Sequence, residues 1–224
     1  MHTFLKVGIL KKISFLIAFL VCIFSILFYI EAEGPSPTII YIDPGHGGMD
    51  GGAVVDGVKE STLTLAFSKK IKEVFEQEGY EVYLTRQEDV SLCPGSFIKK
   101  QDMQKRANLI NQSQATLALS IHMNRFSISK YRGAQVFFSG VEPRSRMLAE
   151  CLQIQLQQYL KNTTRNIVLR DNVYLLNHVT VPCCIVECGF MSNPEEFLLL
   201  QQDDYQYKFA VGLLYGVEKY LLLR

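Results

Sequence analysis

Strand-like and helix-like segments alternate along most of this chain, and this alternation constrains the fold more than any other feature. Runs rich in β-branched and aromatic residues are separated by segments whose apolar residues recur every three or four positions. Strands separated by helices predict an α/β protein, with a three-layer α/β/α sandwich around a mostly parallel twisted sheet. The predicted strands are 38–42, 80–85, 115–122, 133–138, 173–176 and 183–187, and the predicted helices are 63–78, 103–111, 147–160, 194–201 and 205–223.

A second feature lies near the N-terminus, where residues 13–30 form an apolar run without a charged residue. A helix of this length spans about 27 Å, close to the hydrocarbon thickness of a bilayer. Lysines precede the run and glutamates follow it, so the positive-inside rule places the N-terminus in the cytoplasm and the rest of the chain outside. We expect one N-terminal hydrophobic helix, either a membrane anchor or a cleaved signal, although no clean small-x-small cleavage site follows it. The flanking charges are Lys6, Lys11, Lys12, Glu31 and Glu33.

These features divide the chain into three parts. Residues 1–30 are expected to form a basic cytoplasmic tip followed by the anchor or signal segment. Residues 31–37 contain two acids, a glycine and two prolines, which is typical of a linker. Residues 38–224 are numerous enough to bury one hydrophobic core, and we expect them to form a single exported catalytic domain.

Composition argues against a nucleic-acid-binding protein and against a structural role of the cysteines in disulfides or a zinc site. The chain has 23 Lys+Arg and 22 Asp+Glu, for a net charge of +1, whereas a nucleic-acid-binding surface needs a marked basic excess. Five of its six cysteines lie after the linker, and an odd number cannot pair completely within one chain. Their spacing does not match a structural zinc site, so we expect small buried hydrophobic residues. These cysteines are Cys93, Cys151, Cys183, Cys184 and Cys188.

Titratable side chains follow three of the predicted strands where those strands end. His46 follows the first strand, His122 ends the third and Glu187 ends the last. Glu60 lies in the predicted loop before the helix 63–78. Because the carboxyl ends of strands in an open α/β sheet form a binding edge, we expect these side chains to lie together.

Two imidazoles and one carboxylate can hold a zinc ion with a fourth position open for water, and a further carboxylate can act as a base. Histidines at strand ends can also be structural. Glu60 by itself is equally typical of a helix N-terminus, where an acid is favoured by the dipole. The residues alone therefore leave the choice between a zinc site and a structural cluster open.

Glycines surround His46 in the segment 45–52. The pattern lacks the third glycine of a dinucleotide-binding loop and is not followed by the GK[ST] of a P-loop. We therefore expect these glycines to let the backbone approach a metal or a substrate closely.

Four motifs make the chain similar to a known enzyme family. They are IDPGHGGMDGGA at 42–53, Glu60 before TLTLA, SIHMN at 120–124 and IVECGFMSN at 185–193. They occur in order between about residue 38 and the C-terminus, and together they resemble the zinc-dependent N-acetylmuramoyl-L-alanine amidases. That family cleaves the amide between N-acetylmuramic acid and the first residue of the stem peptide in peptidoglycan.

The resemblance implies a role for individual residues. By the family pattern His46, Glu60 and His122 are the zinc ligands, and Glu187 is the catalytic general base. Asn124 matches the last residue of the SIHMN motif and would bind near the metal or the substrate. The resemblance therefore implies one zinc ion per chain and peptidoglycan as the substrate.

The N-terminal apolar segment and the stretch NTTRNIVLRDNVYLLNHVTVP at 162–182 look most like the membrane-anchored sporulation and germination amidases. Those enzymes act on spore cortex, where removal of the peptide prepares formation of muramic δ-lactam. The resemblance implies a catalytic domain on the outer face of the membrane, which in a developing spore is the forespore intermembrane space. An accessory protein remains open as a partner.

Two other functions remain open from the sequence. A zinc carboxypeptidase acting on stem peptides would need a clamp for a terminal carboxylate, and no motif assigns one. A non-catalytic wall-binding module would tend to lose the base, whereas Glu187 is present. Arg86 and Arg106 are candidate contacts for a carboxylate-bearing peptide, with surface or helix-end ion pairs as the default interpretation. We expect His178 to be a loop residue and not a fourth ligand.

Overall fold

The computed structural model of the protein describes residues 15–25, 37–93, 95 and 97–224. The chain divides into two compact units, residues 1–37 and 38–224. In the first unit, residues 15–25 of the predicted apolar segment form a helix, α1. The remainder of that segment, at 13–14 and 26–30, lies outside the described residues, as does the predicted linker from 31 to 36. In the described ranges no helix combines the length and the apolar character that a bilayer crossing requires.

The described part of the second unit contains eight strands. In chain order they are β1 (Ile39–Pro44), β2 (Val54–Val55), β3 (Val58–Lys59), β4 (Glu81–Leu84), β5 (Leu117–Asn124), β6 (Gln135–Phe138), β7 (Val168–Leu169) and β8 (Cys183–Phe190). Six of them form one sheet in the order β4-β1-β5-β8-β6-β7, while β2 and β3 form a separate antiparallel hairpin. All neighbours in the large sheet are parallel except β6 and β8. The prediction of a mostly parallel sheet is confirmed.

Helices cover both faces of this sheet. They are α2 (Glu60–Gln77), α3 (Lys99–Gln112), α4 (Arg144–Leu160), α5 (Tyr174–His178), α6 (Pro194–Leu200) and α7 (Asp203–Leu223). The apolar residues of α2, α4 and α7 pack in one core with one face of the sheet, and α6 adds Phe197 and Leu200 to this core. A second core lies between the other face and the helices α3 and α5. The predicted three-layer α/β/α sandwich is therefore confirmed.

Alternation along the central strands places the polar residues on one face. Ile121 of β5 and Val186 of β8 point into the core under α2 and α7. Because successive side chains of a strand point to opposite faces, the adjacent residues His122 and Glu187 point toward the layer of α3 and α5. Asp43 of β1 points to the same side. The side chains of Asp43, His122 and Glu187 thus lie on one face of the large sheet, near the carboxyl ends of its strands.

The segment 173–176, predicted as a strand, is helical, and this prediction is wrong. Residues Tyr174–His178 form α5, in which the N–H of Asn177 donates to the carbonyl of Val173. The consecutive residues Leu175 and Leu176 are both buried in the core under α3. A strand would direct two consecutive side chains to opposite faces, so burial of both on one side favours a helical turn.

Glu60 was expected in a loop, but it is the first residue of α2. Its N–H donates to the carbonyl of Ala53 at 2.7 Å, and the N–H of Ser61 donates to the carbonyl of Gly51 at 3.1 Å. These carbonyls satisfy N–H groups that have no partner within a helix, so α2 begins earlier than its apolar pattern suggests.

The short strands β2, β3 and β7 were also not predicted.

The five cysteines of the second unit are buried, as predicted, and none of them forms a disulfide bond. Cys184 and Cys188 lie on β8 and Cys151 lies on α4, where all three are part of the larger core. They therefore act as small apolar side chains in the fold.

Candidate active site

His46, Glu60 and His122 converge at the carboxyl edge of the sheet. Their candidate ligand atoms all lie within 4.8 Å of one another. The Oε1 atom of Glu60 is 3.2 Å from His46 Nε2 and 3.2 Å from His122 Nδ1. The two imidazole rings are inclined at 75°, with centroids 5.0 Å apart. The structure therefore brings together the three side chains that the resemblance implies as metal ligands.

Each of these residues comes from a different element. His46 follows β1 in left-handed backbone conformation, with a φ of 60°. His122 lies on β5, the sheet neighbour of β1. Glu60 begins α2, whose first turn is tied to the loop at residues 51–53. Two adjacent strands and a helix start thus hold the three side chains, which favours a preorganised centre.

Two glycines allow the backbone to lie directly against these residues. A Cβ at Gly45 would be 2.4 Å from His122 Nε2 and 2.7 Å from a backbone carbonyl oxygen. A Cβ at Gly52, which has a φ of +66°, would be 2.6 Å from Glu60 Oε2 and 2.8 Å from the His46 ring. A side chain at either place would collide with these residues, so both glycines let the backbone lie against the side chains of the cluster. Their predicted role in approaching a metal or a substrate stays a prediction.

The carboxylate of Asp50 lies behind His46, and the sequence analysis did not select it. Its Oδ1 atom is 3.0 Å from His46 Nδ1, close enough for an ion pair, although the ring N–H is not directed along a good hydrogen bond. The opposite ring nitrogen, Nε2, faces Glu60. A carboxylate on the outer nitrogen of a ligand histidine orients the ring and raises its basicity. The signal available in the sequence was an acid four residues after His46.

The electrostatics of this cluster favour a positive charge at its centre. Burial raises the pKa of Glu60, but hydrogen bonds to His122 and His46 outweigh it, so the pKa lies far below the usual value. The N–H groups of Ala53 and Met123 donate to its two oxygens at 2.9 and 3.1 Å. Burial lowers the pKa of His46, but Glu60 and Asp50 raise it more. Glu60 is thus a permanent carboxylate in a pocket that stabilises a cation.

Glu187 lies beside this cluster on the neighbouring strand, where it pairs in register with His122. Its side chain is half-buried, and its Oε2 atom is buried without a hydrogen-bond partner among the described residues. Burial raises its pKa to about 7; His122 opposes the rise and Glu60 adds to it. A carboxylate that is held without a partner and has a raised pKa is suited to accept and release a proton.

Two buried arginines hold the backbone of the His46 loop. Arg106 donates from Nη1 to the carbonyl of Pro44 at 2.7 Å and from Nη2 to the carbonyl of His46. Arg86 donates to the carbonyls of Pro44 at 3.0 Å and Gly45 at 2.9 Å. Arg106 does form ion pairs, with Asp43 and with Asp102 of its own helix, but they are buried and not at the surface. Both guanidinium groups are engaged within the fold, so the interpretation of either arginine as a contact for a peptide is wrong. The sequence does not reveal this role because backbone carbonyls leave no side-chain pattern.

Asn124 and His178 lie outside the three-residue cluster. Asn124 ends β5 and is half-buried, and its carbonyl accepts from the N–H of Met191 at 2.8 Å. His178 is the exposed last residue of α5, not a loop residue, and its ring stacks on Tyr174 at 3.8 Å between centroids. Among the described residues, the group that could hold a metal ion contains His46, Glu60 and His122 without His178.

Comparisons with known proteins give a consistent result. A profile of the N-acetylmuramoyl-L-alanine amidase family matches residues 40–219. The chain is 36% identical over 224 residues to the germination-specific N-acetylmuramoyl-L-alanine amidase of Bacillus subtilis, covering 94% of this chain and 94% of that protein.

Solved structures share the fold. The CwlD amidase from Clostridioides difficile, solved in complex with the GerS lipoprotein, matches with a TM-score of 0.79 and 36% identity, covering 84% of this chain and 100% of that chain. The catalytic domain of CwlV, an N-acetylmuramoyl-L-alanine amidase from Bacillus (Paenibacillus) polymyxa, matches with a TM-score of 0.72 and 27% identity, covering 84% of this chain and 99% of that chain.

Proposed function

The chain belongs to the N-acetylmuramoyl-L-alanine amidase family, and on that premise we propose that it is a zinc-dependent hydrolase of the amide joining N-acetylmuramic acid to L-alanine in peptidoglycan. One observation carries the proposal. His46, Glu60 and His122 meet around one point, and the unpartnered carboxylate of Glu187 lies on the next strand.

The donor set fits a zinc ion. Catalytic zinc sites use three protein ligands of this kind and keep the fourth position for water. In a tetrahedral site with bonds of about 2.0–2.1 Å, neighbouring ligand atoms lie about 3.3 Å apart. The two distances from Glu60 Oε1 to the histidine nitrogens are both 3.2 Å. His46, Glu60 and His122 are therefore the proposed ligands.

When bound there, zinc supplies Lewis-acid polarisation of the carbonyl and lowers the pKa of a water molecule to about 7. Glu187 accepts the proton of the attacking water and passes it to the departing amine of the alanine. Asp50 keeps His46 in orientation through Nδ1. Asn124, at the end of β5, is the proposed polar contact to the substrate beside the reacting amide.

Product analysis tests the reaction. We expect the full-length protein, loaded with zinc and incubated with intact peptidoglycan, to release stem peptides with an N-terminal alanine. Loss of one terminal residue from the peptides would instead show a carboxypeptidase. Binding to peptidoglycan without any product would show a wall-binding module, and either result would refute the proposal.

Metal analysis tests the ligand set. His122→Ala removes one of three proposed ligands, so we expect zinc content and peptide release both to fall below detection. His178→Ala is the matched control, because His178 is exposed and lies outside the cluster. Unchanged zinc content in His122→Ala would contradict the assignment.

The similar proteins suggest the cellular process in which this enzyme acts. The similar Bacillus subtilis protein is germination-specific, and the similar Clostridioides difficile amidase was solved with a lipoprotein. We propose that this enzyme acts in spore cortex, where its product leads to muramic δ-lactam, with its domain exported and membrane-associated and with an accessory protein as a partner. Spores that lack the protein should contain cortex without muramic δ-lactam, and a plasmid copy should restore it; normal δ-lactam content in those spores would refute this setting.

A further inference from the structure

A cavity of about 520 Å³ opens beside His46 and His122, on the face of the sheet covered by α3 and α5. Lys99 and Lys100, at the start of α3, and residues 172–175, at the start of α5, line it. The volume lies within the range of about 300–1,000 Å³ that is typical of small-ligand sites. A molecule in this cavity would lie directly against the proposed zinc site.

Two lysines and two aspartates line the cavity. Lys99 and Lys100 are both exposed, and neither forms an ion pair with a carboxylate in the described part of the chain. The carboxylate of Asp43 is bound by the guanidinium of Arg106 at 2.7 Å and by the hydroxyl of Ser120 at 2.7 Å, and that of Asp50 lies 3.0 Å from His46 Nδ1. The two lysines are therefore available to a negatively charged ligand.

The two lysines and the proposed zinc ligands His46 and His122 line the same cavity. A carboxylate held by Lys99 and Lys100 would thus be a short distance from the reacting amide.

The remaining walls are largely apolar. Met103, Val173, Leu175 and Ile185 line the cavity, and Asn172 and Tyr174 add polar groups. A sugar ring needs hydrogen-bond partners for its hydroxyl groups, and aliphatic walls leave such groups unsatisfied. A small aliphatic side chain, such as the methyl group of alanine, meets no such penalty. The walls therefore favour the peptide part of the substrate over the glycan part.

Building on the proposed function, we propose that this cavity binds the stem peptide, with the alanine against the apolar wall and a free peptide carboxylate on Lys99 and Lys100. The ligand class is thus an acidic peptide joined through its N-terminus to the scissile amide. The glycan part of the substrate then lies outside the cavity, on the other side of the metal centre.

Two matched substrates test the charge recognition. They are muramoyl tripeptides that differ only at the second peptide residue, which is either a γ-linked D-glutamate with a free α-carboxylate or its carboxamide, isoglutamine. Hydrogen bonds to charged groups are strong enough that we expect the wild-type protein to prefer the carboxylate form by about tenfold in KM. The preference should shrink at high salt, because the lysines are exposed.

The double variant Lys99→Gln/Lys100→Gln should lose this preference, with its zinc content unchanged. The matched control is Lys208→Gln/Lys219→Gln, which removes two exposed lysines from α7 on the opposite side of the sheet and should keep the preference. A Lys99→Gln/Lys100→Gln protein that still prefers the carboxylate form would overturn the proposal.

Binding of the released tripeptides separates this proposal from the catalytic one. Calorimetry with the zinc-loaded full chain should show tighter binding of the tripeptide with the free α-carboxylate than of its amide, and the lysine variant should abolish the difference. This result would support the cavity assignment even if neither muramoyl substrate were cleaved. Equal binding of both tripeptides, together with competition by the disaccharide, would assign the cavity to the glycan and refute the inference.

Discussion

At the scale of single residues, Glu187 separates metal binding from catalysis. Glu187→Gln keeps the size of the side chain but removes the base, so zinc should stay bound while peptide release falls. Loss of a general base costs about 10²- to 10⁴-fold in rate. The upper part of this range applies here, because the same group also returns the proton to the amine. Zinc stoichiometry and turnover, measured on the same preparation, check this prediction.

Glu60→Gln provides the comparison, since a neutral amide is a poor replacement for a carboxylate ligand. It should lose zinc together with activity, because Glu60 contacts both histidines. Loss of zinc in Glu187→Gln, or near-normal turnover in that variant, would remove Glu187 from the role of base.

Gly52 is predicted to control the shape of the metal centre without contributing a side chain. In Gly52→Ala the new Cβ would be 2.6 Å from Glu60 Oε2, so the carboxylate has to move and zinc affinity should fall at least tenfold, roughly the loss caused by disturbing a ligand's support. Gly57→Ala is the matched control, because Gly57 also has a positive φ, of +79°, but its Cβ would have nothing within 4 Å. Titration of both variants with zinc checks the difference. An equal loss of zinc affinity in Gly52→Ala and Gly57→Ala would show that backbone strain, and not the contact with Glu60, is responsible.

The site residues that the sequence could predict are those whose side chains perform the chemistry. His46 follows β1, whereas His122 and Glu187 lie inside β5 and β8, which both extend beyond their predicted ends. The parallel pairing of β1, β5 and β8 still brings the three side chains to one edge of the sheet. Asp50 was missed because its role depends on which nitrogen of His46 faces outward, and this is a property of the folded loop. The sequence also does not show that the guanidinium of Arg86 donates hydrogen bonds to backbone carbonyls.

At the scale of secondary-structure elements, Asp43 and Arg106 join β1 to α3 beneath the His46 loop. Asp43 accepts hydrogen bonds from Arg106 at 2.7 Å, from Thr85 at 2.6 Å and from Ser120 at 2.7 Å. Burial raises its pKa, but Arg106 and the hydroxyl groups lower it more, so the pKa lies below the usual value. Removing one partner of a buried ion pair costs about 3–5 kcal/mol, because the other charge stays buried.

Asp43→Asn should therefore lower the free energy of unfolding by about 3–5 kcal/mol near neutral pH. A carboxylate whose pKa is depressed in the folded state stabilises the fold fully above its unfolded pKa, about 3.9, and this stabilisation is lost as the pH falls through the folded pKa. The difference between wild type and variant should thus stay constant down to about pH 5 and shrink below about pH 4.

Urea unfolding at several pH values checks this, with a chelator present so that zinc binding does not contribute to stability. Asp56→Asn is the control, because Asp56 is exposed in a turn with a φ of 47°, which asparagine tolerates. A difference for Asp43→Asn that stays unchanged down to about pH 3 would contradict the assigned ion pair.

The elements that the sequence predicts well are the long ones with a strong apolar period. α4 and α7 were predicted within a few residues of their bounds, because each presents a continuous apolar face to the same core. α5 was predicted as a strand because five residues are too few to show a helical period. β7 is two residues long, and its pairing with β6 depends on the sheet and not on its own composition.

At the scale of the whole molecule, an exported domain has to keep its cysteine thiols from reacting in an oxidising compartment. Oxidising compartments favour disulfides, and an odd number of accessible cysteines would leave one to react. All five cysteines of residues 38–224 are buried. Burial raises the pKa of Cys151, Cys183, Cys184 and Cys188, so little reactive thiolate forms. The folded domain is therefore suited to an exported location without any disulfide.

The charges on either side of the apolar run predict the orientation that the chain would take in a membrane. Three lysines precede residues 13–30 and two glutamates follow them, so residues 38–224 should lie on the outer face. Protease added to intact protoplasts should then digest this domain while a cytoplasmic marker protein stays whole. Replacing Lys6, Lys11 and Lys12 by glutamate removes the bias and should increase the protected fraction, whereas replacing Lys208 and Lys219 by glutamate, far from the run, should not. Full protection of the wild-type domain, together with its recovery in the cytosolic fraction, would show that the apolar run does not export it.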